Sequence, residues 1–261
     1  MYGFRWEYYD NYVGTTISAF NPRLAFAFLP SDNWIIRAMY SEAVRPPSIY
    51  EIVGNNFLPG LYGSTGLTFE KLKTIEFSIK YKKAGFEINL NPYYEILKDR
   101  ISYVPSAIDA TALIATNTGE LEVLGVEVSS KYSWGSSNYV FLNGSKLDSK
   151  DIRLGQRTPY LPDLYVNGGI NLAFGKMNYN WTVFYRGDRS LPDELIINRE
   201  RAGGSQLMNN LAITYNLKQG IEAYVMIENV FDGENYVPLN RDGMYVPLRR
   251  RTVNLGFNLK F

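Results

Sequence analysis

Cysteine and histidine are both missing from the 261 residues. Without cysteine there can be no disulfide and no thiolate metal site, a pattern compatible with an extracytoplasmic location. Without histidine the commonest general base, the usual zinc ligand and the physiological pH switch are gone together. No segment approaches the roughly 18 consecutive apolar residues of a membrane-spanning helix, which excludes a helical membrane protein. The formal net charge is only +1, so no overall field draws the chain to nucleic acid. The opening "MYGFRWEYYDNYVG" has no basic segment followed by an apolar one, as a secretory signal would. It reads as a strand already under way, in either a cytoplasmic protein or the later part of a longer exported chain.

Tyrosine is the surplus. There are 21 tyrosines, and aromatic residues make up 15% of the chain. A ring with a polar tip suits membrane interfaces and half-wet binding surfaces. The second signal is period two. In the final "RTVNLGFNLKF", Val253, Leu255, Phe257, Leu259 and Phe261 alternate with Thr252, Asn254, Gly256, Asn258 and Lys260. Alternation puts the two sets on opposite faces of a strand. Comparable segments recur at 2–10, 24–28, 33–41, 73–81, 85–95, 121–132, 137–145, 163–174, 178–187, 206–217 and 220–229. With the last, about twelve strands are expected, many near the ten residues that a tilted strand needs to cross a bilayer.

The connections sort by length. Short turns fall at 30–33, 82–85, 134–138, 175–178 and 218–220, and longer loops at about 10–19, 42–71, 97–118, 148–160, 187–205 and 229–247. Short and long take turns. A meandering transmembrane barrel has short periplasmic turns at one rim and long extracellular loops at the other, whereas Greek-key sandwiches do not sort connections this way. The predicted faces agree: Ile75, Phe77 and Ile79 oppose Thr74, Glu76 and Ser78, while Trp34, Tyr81, Trp134 and Phe174 lie by short turns and Tyr40, Tyr94 and Tyr185 toward long loops. Two aromatic girdles are expected. The fold expected is therefore all-β, a transmembrane antiparallel up-and-down β-barrel.

Catalysis finds no support. Pairs such as Asp148 with Asp151, or Asp193 with Glu194, have no fixed separation to make them glycosidase carboxylates. No nucleophile or metal-ligand spacing is present, so neither an enzyme, a cofactor nor a metal site is expected. "GLYGSTG" at 60–66 lacks the lysine of a phosphate loop. Arg249, Arg250 and Arg251 are too few for nucleic acid, but Arg249 and Arg251 at an outer rim suit lipopolysaccharide phosphates. Ligand capture belongs to the long loops. Candidates are Tyr50, Asn55, Asn56, Phe57 and Tyr62 in one, and Tyr236, Asn240, Arg241 and Tyr245 in another. Aromatic, amide and guanidinium groups suit a siderophore, a corrinoid or a glycan, and the same rings also serve to pack loops together.

Four stretches carry a family resemblance. "YSEAVRPPSIYEI" at 40–52 resembles the strand end of TonB-dependent outer-membrane receptors, with Arg45, Pro46 and Glu51. "LEVLGVEVSSKY" resembles their strand with Gly125 and Glu127, and "IENVFDGENYVP" their late motif with Asn229, Phe231, Asp232 and Tyr236. "RRRTVNLGFNLKF" resembles their last strand. The resemblance covers nearly the whole chain and implies the C-terminal part, residues 1–261, of a barrel of about 22 strands, with the plug domain and earlier strands absent. It implies uptake of a scarce nutrient, a ferric siderophore foremost, through loop capture and plug movement driven by the TonB complex. It makes Phe257, Leu259 and Phe261 a signal for the barrel-assembly machinery, and places the chain in the outer membrane among lipid and lipopolysaccharide. Arg45, Pro46, Glu51, Gly125 and Glu127 are assigned to barrel structure. The alternatives are a self-standing twelve-strand passive channel and a soluble all-β glycan-binding module.

Overall fold

The computed structural model describes residues 1–12, 15–54, 60–107, 109, 111–191, 203–238 and 245–259, with the backbone alone at 11, 12, 15 and 238. In chain order the elements are β1 (Tyr2–Tyr12), β2 (Thr15–Ser31), β3 (Trp34–Arg45), α1 (Ile49–Val53), β4 (Leu61–Tyr62), β5 (Glu70–Lys83), β6 (Phe86–Pro105), β7 (Leu113–Trp134) and β8 (Asn138–Asp151). Then come β9 (Gln156–Arg157), β10 (Leu164–Phe174), β11 (Met177–Arg186), β12 (Gln206–Lys218), β13 (Ile221–Glu228), β14 (Tyr236–Pro238), β15 (Tyr245–Pro247) and β16 (Thr252–Leu259).

Twelve of these strands form one antiparallel meander, β1-β2-β3-β5-β6-β7-β8-β10-β11-β12-β13-β16, and they are the twelve that alternation marks out. Each pairs with its neighbours along the path. Among the described residues β1 and β16 do not pair with each other, so the sheet is open. The short turns fall where expected. Between β5 and β6, for example, Ala84 and Gly85 have φ of 48° and 83°, the paired left-handed geometry that lets a two-residue hairpin follow the sheet twist.

The burial pattern is inverted relative to a soluble protein. Along β5, Ile75 and Phe77 are exposed while Ser78 between the strands' polar neighbours is buried, and Asn21 and Asn171 are likewise buried on the polar face. On the other face Phe26, Leu142, Trp181, Leu255 and Phe257 all stand open. Apolar side chains that face outward while polar ones face a lumen are what hydrocarbon solvent requires. All the buried apolar side chains among the described residues, including Ile52, Leu67, Phe69, Ile101 and Ala115, lie at the long-connection rim or in the connections themselves.

The aromatic girdle at the short-turn rim is contiguous on the apolar face. Trp34 lies 4.7 Å from Tyr81, Tyr81 lies 6.3 Å from Phe86, and Tyr132 stacks on Trp134 at 5.7 Å, ring centre to ring centre. Phe86 and Tyr132 are direct cross-strand partners, which joins the two groups. On the polar face, three rings lie over glycines opposite them: Tyr93 over Gly125, Phe141 over Gly169 and Tyr224 over Gly256. A ring folded across a glycine restores the packing that the missing side chain forfeits.

Two expected loops are shorter than the sequence indicates. β6 runs 20 residues and β7 runs 22, about twice what a bilayer crossing needs, so most of the expected 97–118 loop is a paired two-stranded arm. A register shift near Asp99, which has φ of 56°, interrupts the alternation and disguises the arm. Likewise the expected 10–19 loop is largely hairpin, with Tyr12 opposite Thr15 beyond a shift after Tyr9.

Candidate functional site

The long-connection rim is built around one arginine. Ser48 caps α1: its hydroxyl accepts from the Glu51 amide at 3.3 Å, while the Glu51 carboxylate accepts from the Ser48 amide at 2.6 Å. This reciprocal box satisfies two amides that a helix start leaves bare. Arg45, at the end of β3, then grips both ends of the connection. Its Nη1 and Nη2 donate to the two Glu51 oxygens at 3.0 and 2.9 Å, and its Nε donates to Glu70 at 2.7 Å. The second Glu70 oxygen accepts from the Ile101 amide at 2.8 Å, which ties in the β6–β7 arm. Pro47 between helix and strand is fully buried, and Pro46 is half-buried.

The electrostatics follow from this fork. Partial burial pushes the Glu51 carboxyl up, but the hydrogen bonds from Arg45 and Ser48 outweigh it and hold the group below its usual value. Glu70 first and Glu51 second raise the Arg45 guanidinium well above its ordinary range. Arg45 and its two carboxylates thus favour one another's charged forms.

Beyond α1 the chain doubles back. The Ser64 amide donates to the Glu51 carbonyl at 3.0 Å, and Gly63 passes so close to Ile52 and Gly54 that a side chain there would collide with backbone. β4 pairs in parallel with the start of β7, Leu61 beside Leu113. Asn117 fastens the return: its Oδ1 accepts from the Thr68 amide at 2.8 Å, and its Nδ2 donates to the Thr68 and Asp99 carbonyls at 3.1 and 2.6 Å. Leu67, Ile101 and Ala115 close a small apolar cluster beneath, with Tyr103 against it. A rigid platform results. Tyr50 on α1 and Tyr62 in β4 stand on it, 62% and 54% exposed.

The other ligand candidates fare differently. Tyr236 and Tyr245 meet edge to face at 5.0 Å across the β14–β15 hairpin, and the Tyr236 hydroxyl donates to Glu234 at 2.9 Å. These rings pack on each other. Asn55, Asn56, Phe57, Asn240, Arg241 and Phe261 lie outside the described residues. Asn229, buried, organises the late loop: its side chain donates to the Gly233 and Arg249 carbonyls at 2.8 and 3.3 Å and accepts from the Gly233 amide at 3.0 Å. Asp232 accepts from Arg250 Nε and Nη2 at 3.0 Å each and from the Arg251 amide at 2.9 Å. Arg250 thus has a protein partner, while Arg249 and Arg251 are exposed. Phe231 is exposed, as are Phe257 and Leu259 on the apolar face of β16. Gly125 is buried under Tyr93, and Glu127 lies on the polar face opposite Asn91 and Ser145.

Three participants carried no sequence signal. Glu70, Ile101 and Asn117 fall within or beside stretches read as loop, and only the tertiary arrangement brings them to Arg45 and Thr68. Among the described residues no three potential metal ligands converge. The rim offers hydrogen bonds, aromatic faces and charge, which is equipment for binding.

An antiparallel meander with an outward apolar face, an aromatic girdle and a structured long-loop rim defines an outer-membrane barrel wall. Residues 1–230 match the family model described as TonB dependent receptor-like, beta-barrel. The chain belongs to this family, whose members are outer-membrane receptors and transporters rather than enzymes. The FrpB iron transporter from Neisseria meningitidis (F3-3 variant) is similar to it with a TM-score of 0.76 at 18% identity, over 100% of this chain and 42% of that one. The ferric yersiniabactin uptake receptor FyuA from Yersinia pestis gives 0.73 at 17% identity, over 95% and 38%. The copper transporter OprC gives 0.72 at 15%, over 94% and 40%. The chain thus spans about two fifths of the length of these structures. No curated protein matches its sequence.

Proposed function

We propose that residues 1–261 are the C-terminal part of the barrel of an outer-membrane active-transport receptor that takes up a scarce nutrient as a metal chelate, with a ferric siderophore as substrate. The long-loop rim faces the outside and captures the chelate; movement of a plug, energised through TonB, then admits it. The family match and the likeness to an iron transporter and a ferric yersiniabactin uptake receptor support this reading. The observation that carries it on this chain is the platform clamped by Arg45, which holds Tyr50 and Tyr62 exposed at the outer rim. Exposed rings on a rigid base are suited to an aromatic or apolar chelate shell. Arg45, Pro46 and Glu51 serve this platform as scaffold, and Gly125 with Glu127 serves the wall. Phe257, Leu259 and Phe261 serve assembly.

The test is uptake of radioactive iron, presented as siderophore chelates, by cells with and without the gene. Energy-dependent uptake that vanishes on deletion and on adding a protonophore is expected. Uptake that persists in the deletion strain, or a flux indifferent to the protonophore, would count against an active receptor.

A further inference from the structure

A concave region lies on the apolar side of the wall, away from the lumen. At the long-connection rim a cavity of about 460 Å³ is lined by Lys146, Arg157, Asp163, Tyr185, Asp188 and Arg189. Register fixes its side. Lys146 pairs with Leu164 and shares the outward parity of Leu142, and Tyr185 shares that of Trp181, both exposed apolar positions.

Arg189 is the unusual member. Its amide donates to the Gly203 carbonyl at 2.9 Å, its backbone bridges to Pro162, and the neighbouring Ser190 carbonyl accepts from the Tyr160 amide at 2.7 Å. Two connections, β9–β10 and β11–β12, therefore converge to bury it, to 8% exposure. Yet its Nε and Nη2 have no hydrogen-bond partner among the described residues. These two nitrogens form the side-on fork of the guanidinium, spaced to take two oxygens of one phosphate. A buried charge left without a counter-charge is costly, so the fork calls for an anion. Asp163 does not supply it. Its carboxylate is engaged by Lys146 and, at 3.5 Å, by Arg157. The lining holds three cations, Lys146, Arg157 and Arg189, against two carboxylates, Asp163 and Asp188, which leaves one positive charge over.

Directly below, toward the short turns, the same face carries an apolar groove of about 310 Å³ whose walls include Leu142, Val166, Ile170 and Trp181. Its floor is Gly168, opposite Leu142 on one side and Val183 on the other. Tyr185 lines both groove and cavity. A cationic pocket stacked on an apolar trough, joined by an amphipathic ring, has the polarity sequence of one lipid molecule read from headgroup to acyl chain.

We propose that this is a site for lipid A, the phosphorylated lipid of lipopolysaccharide, with a phosphate on the Arg189 fork and an acyl chain lying across Gly168. Charge complementarity and level select it: the cavity sits at the long-loop rim, which in a barrel faces the lipopolysaccharide leaflet. The assignment rests on the membrane orientation proposed above and not on the transport activity.

The protein is purified from outer membranes in detergent, and lipid binding is followed by native mass spectrometry with added bis-phosphorylated lipid A, dephosphorylated lipid A or phosphatidylglycerol. The wild type should bind lipid A at least tenfold more tightly than either competitor. Arg189→Gln and Gly168→Leu should each weaken lipid A about tenfold, and Arg189→Lys, which keeps the charge but loses the fork, severalfold. Arg189→Gln should leave binding of dephosphorylated lipid A unchanged. Heat-modifiable gel migration confirms that each variant is folded. Equal lipid A affinity in the wild type and both the Arg189→Gln and Gly168→Leu variants would overturn the site, and phosphatidylglycerol bound as tightly as lipid A would overturn its assignment. Siderophore uptake is measured on the same variants; its absence alongside normal lipid A binding would speak against the transport reading alone.

Discussion

The ring of Tyr93 lies flat across Gly125, its direct partner on the adjacent strand, and occupies the space where a side chain at 125 would stand. The glycine is what lets the tyrosine fold down against the sheet. Gly125→Ala should force the ring away and cost about 1–3 kcal/mol, the usual range for overpacking. The measurement is the temperature at which the folded barrel loses its fast electrophoretic migration. Tyr93→Ala combined with Gly125→Ala should recover part of the loss, because the two sites are coupled. A midpoint for Gly125→Ala equal to that of the wild type would show that the ring has another resting place.

Arg45 joins Glu51 to Glu70, so its removal should loosen the platform without touching the wall. Arg45→Ala leaves two carboxylates facing each other. Since the arginine is about half exposed, the expected local cost is about 1 kcal/mol rather than that of a buried pair. Proteolysis at 46–69 should accelerate several-fold while circular dichroism stays that of the intact sheet. Arg45→Lys should rescue little, since an ammonium cannot make the two-pronged contact with Glu51. Unaltered cleavage in both variants would assign the platform's rigidity to Asn117 and the apolar cluster instead.

The late loop should respond to acid. Arg250 above all, with the Arg251 amide, holds the Asp232 carboxyl well below the usual carboxylate range. When the loop opens, Asp232 returns to an ordinary value of about 3.9. Below that pH the open form binds a proton that the closed form refuses, so the closed loop loses stability as pH falls from about 4 toward the depressed value. Above about pH 5 no change is expected. Hydrogen exchange of the 229–237 amides from pH 6 to 3 checks this. Asp232→Asn should flatten the response, and because the pair is exposed, high salt should flatten it too.

The four tyrosines proposed for capture should separate into two pairs. Tyr50→Ala and Tyr62→Ala remove exposed rings, and should weaken chelate binding about tenfold with little change in stability. Tyr236→Ala or Tyr245→Ala breaks an edge-to-face contact worth about 0.5–1.5 kcal/mol and should mainly loosen the β14–β15 hairpin. Calorimetric titration beside thermal melting distinguishes the two. Tyr62→Ala with unchanged affinity would move the capture site off the platform.

Phe257 and Leu259 point outward from the last strand, and deletion of Phe261 should reduce barrel recovered in the outer membrane several-fold. Normal recovery after the deletion would mean that this aromatic terminus is not what the assembly machinery reads.

The wall was legible from alternation because membrane strands have one uniform environment on each face. Val253 to Leu259 of β16 and Ile75 to Ile79 of β5 announce themselves for that reason. The arm of β6 and β7 was not, since it leaves the bilayer, its two faces no longer differ consistently, and the shift at Asp99 reverses parity. Of the site, Arg45, Glu51 and Asn229 stood in recognisable motifs. Glu70, Asn117 and Arg189 did not, because a residue's role as counter-charge, tether or buried fork depends on segments distant in the chain.

Among the described residues, each of the twelve meander strands pairs with no other meander strand than its neighbours along the path, so the wall is in effect a one-dimensional array. Its repeating unit is the hairpin. Removing one, such as β10 with β11, would leave β8 and β12 running in opposite directions and free to pair. Such a barrel can grow or shrink two strands at a time by gene duplication or loss, with its bore widening or narrowing in step, while the order of all remaining contacts is preserved.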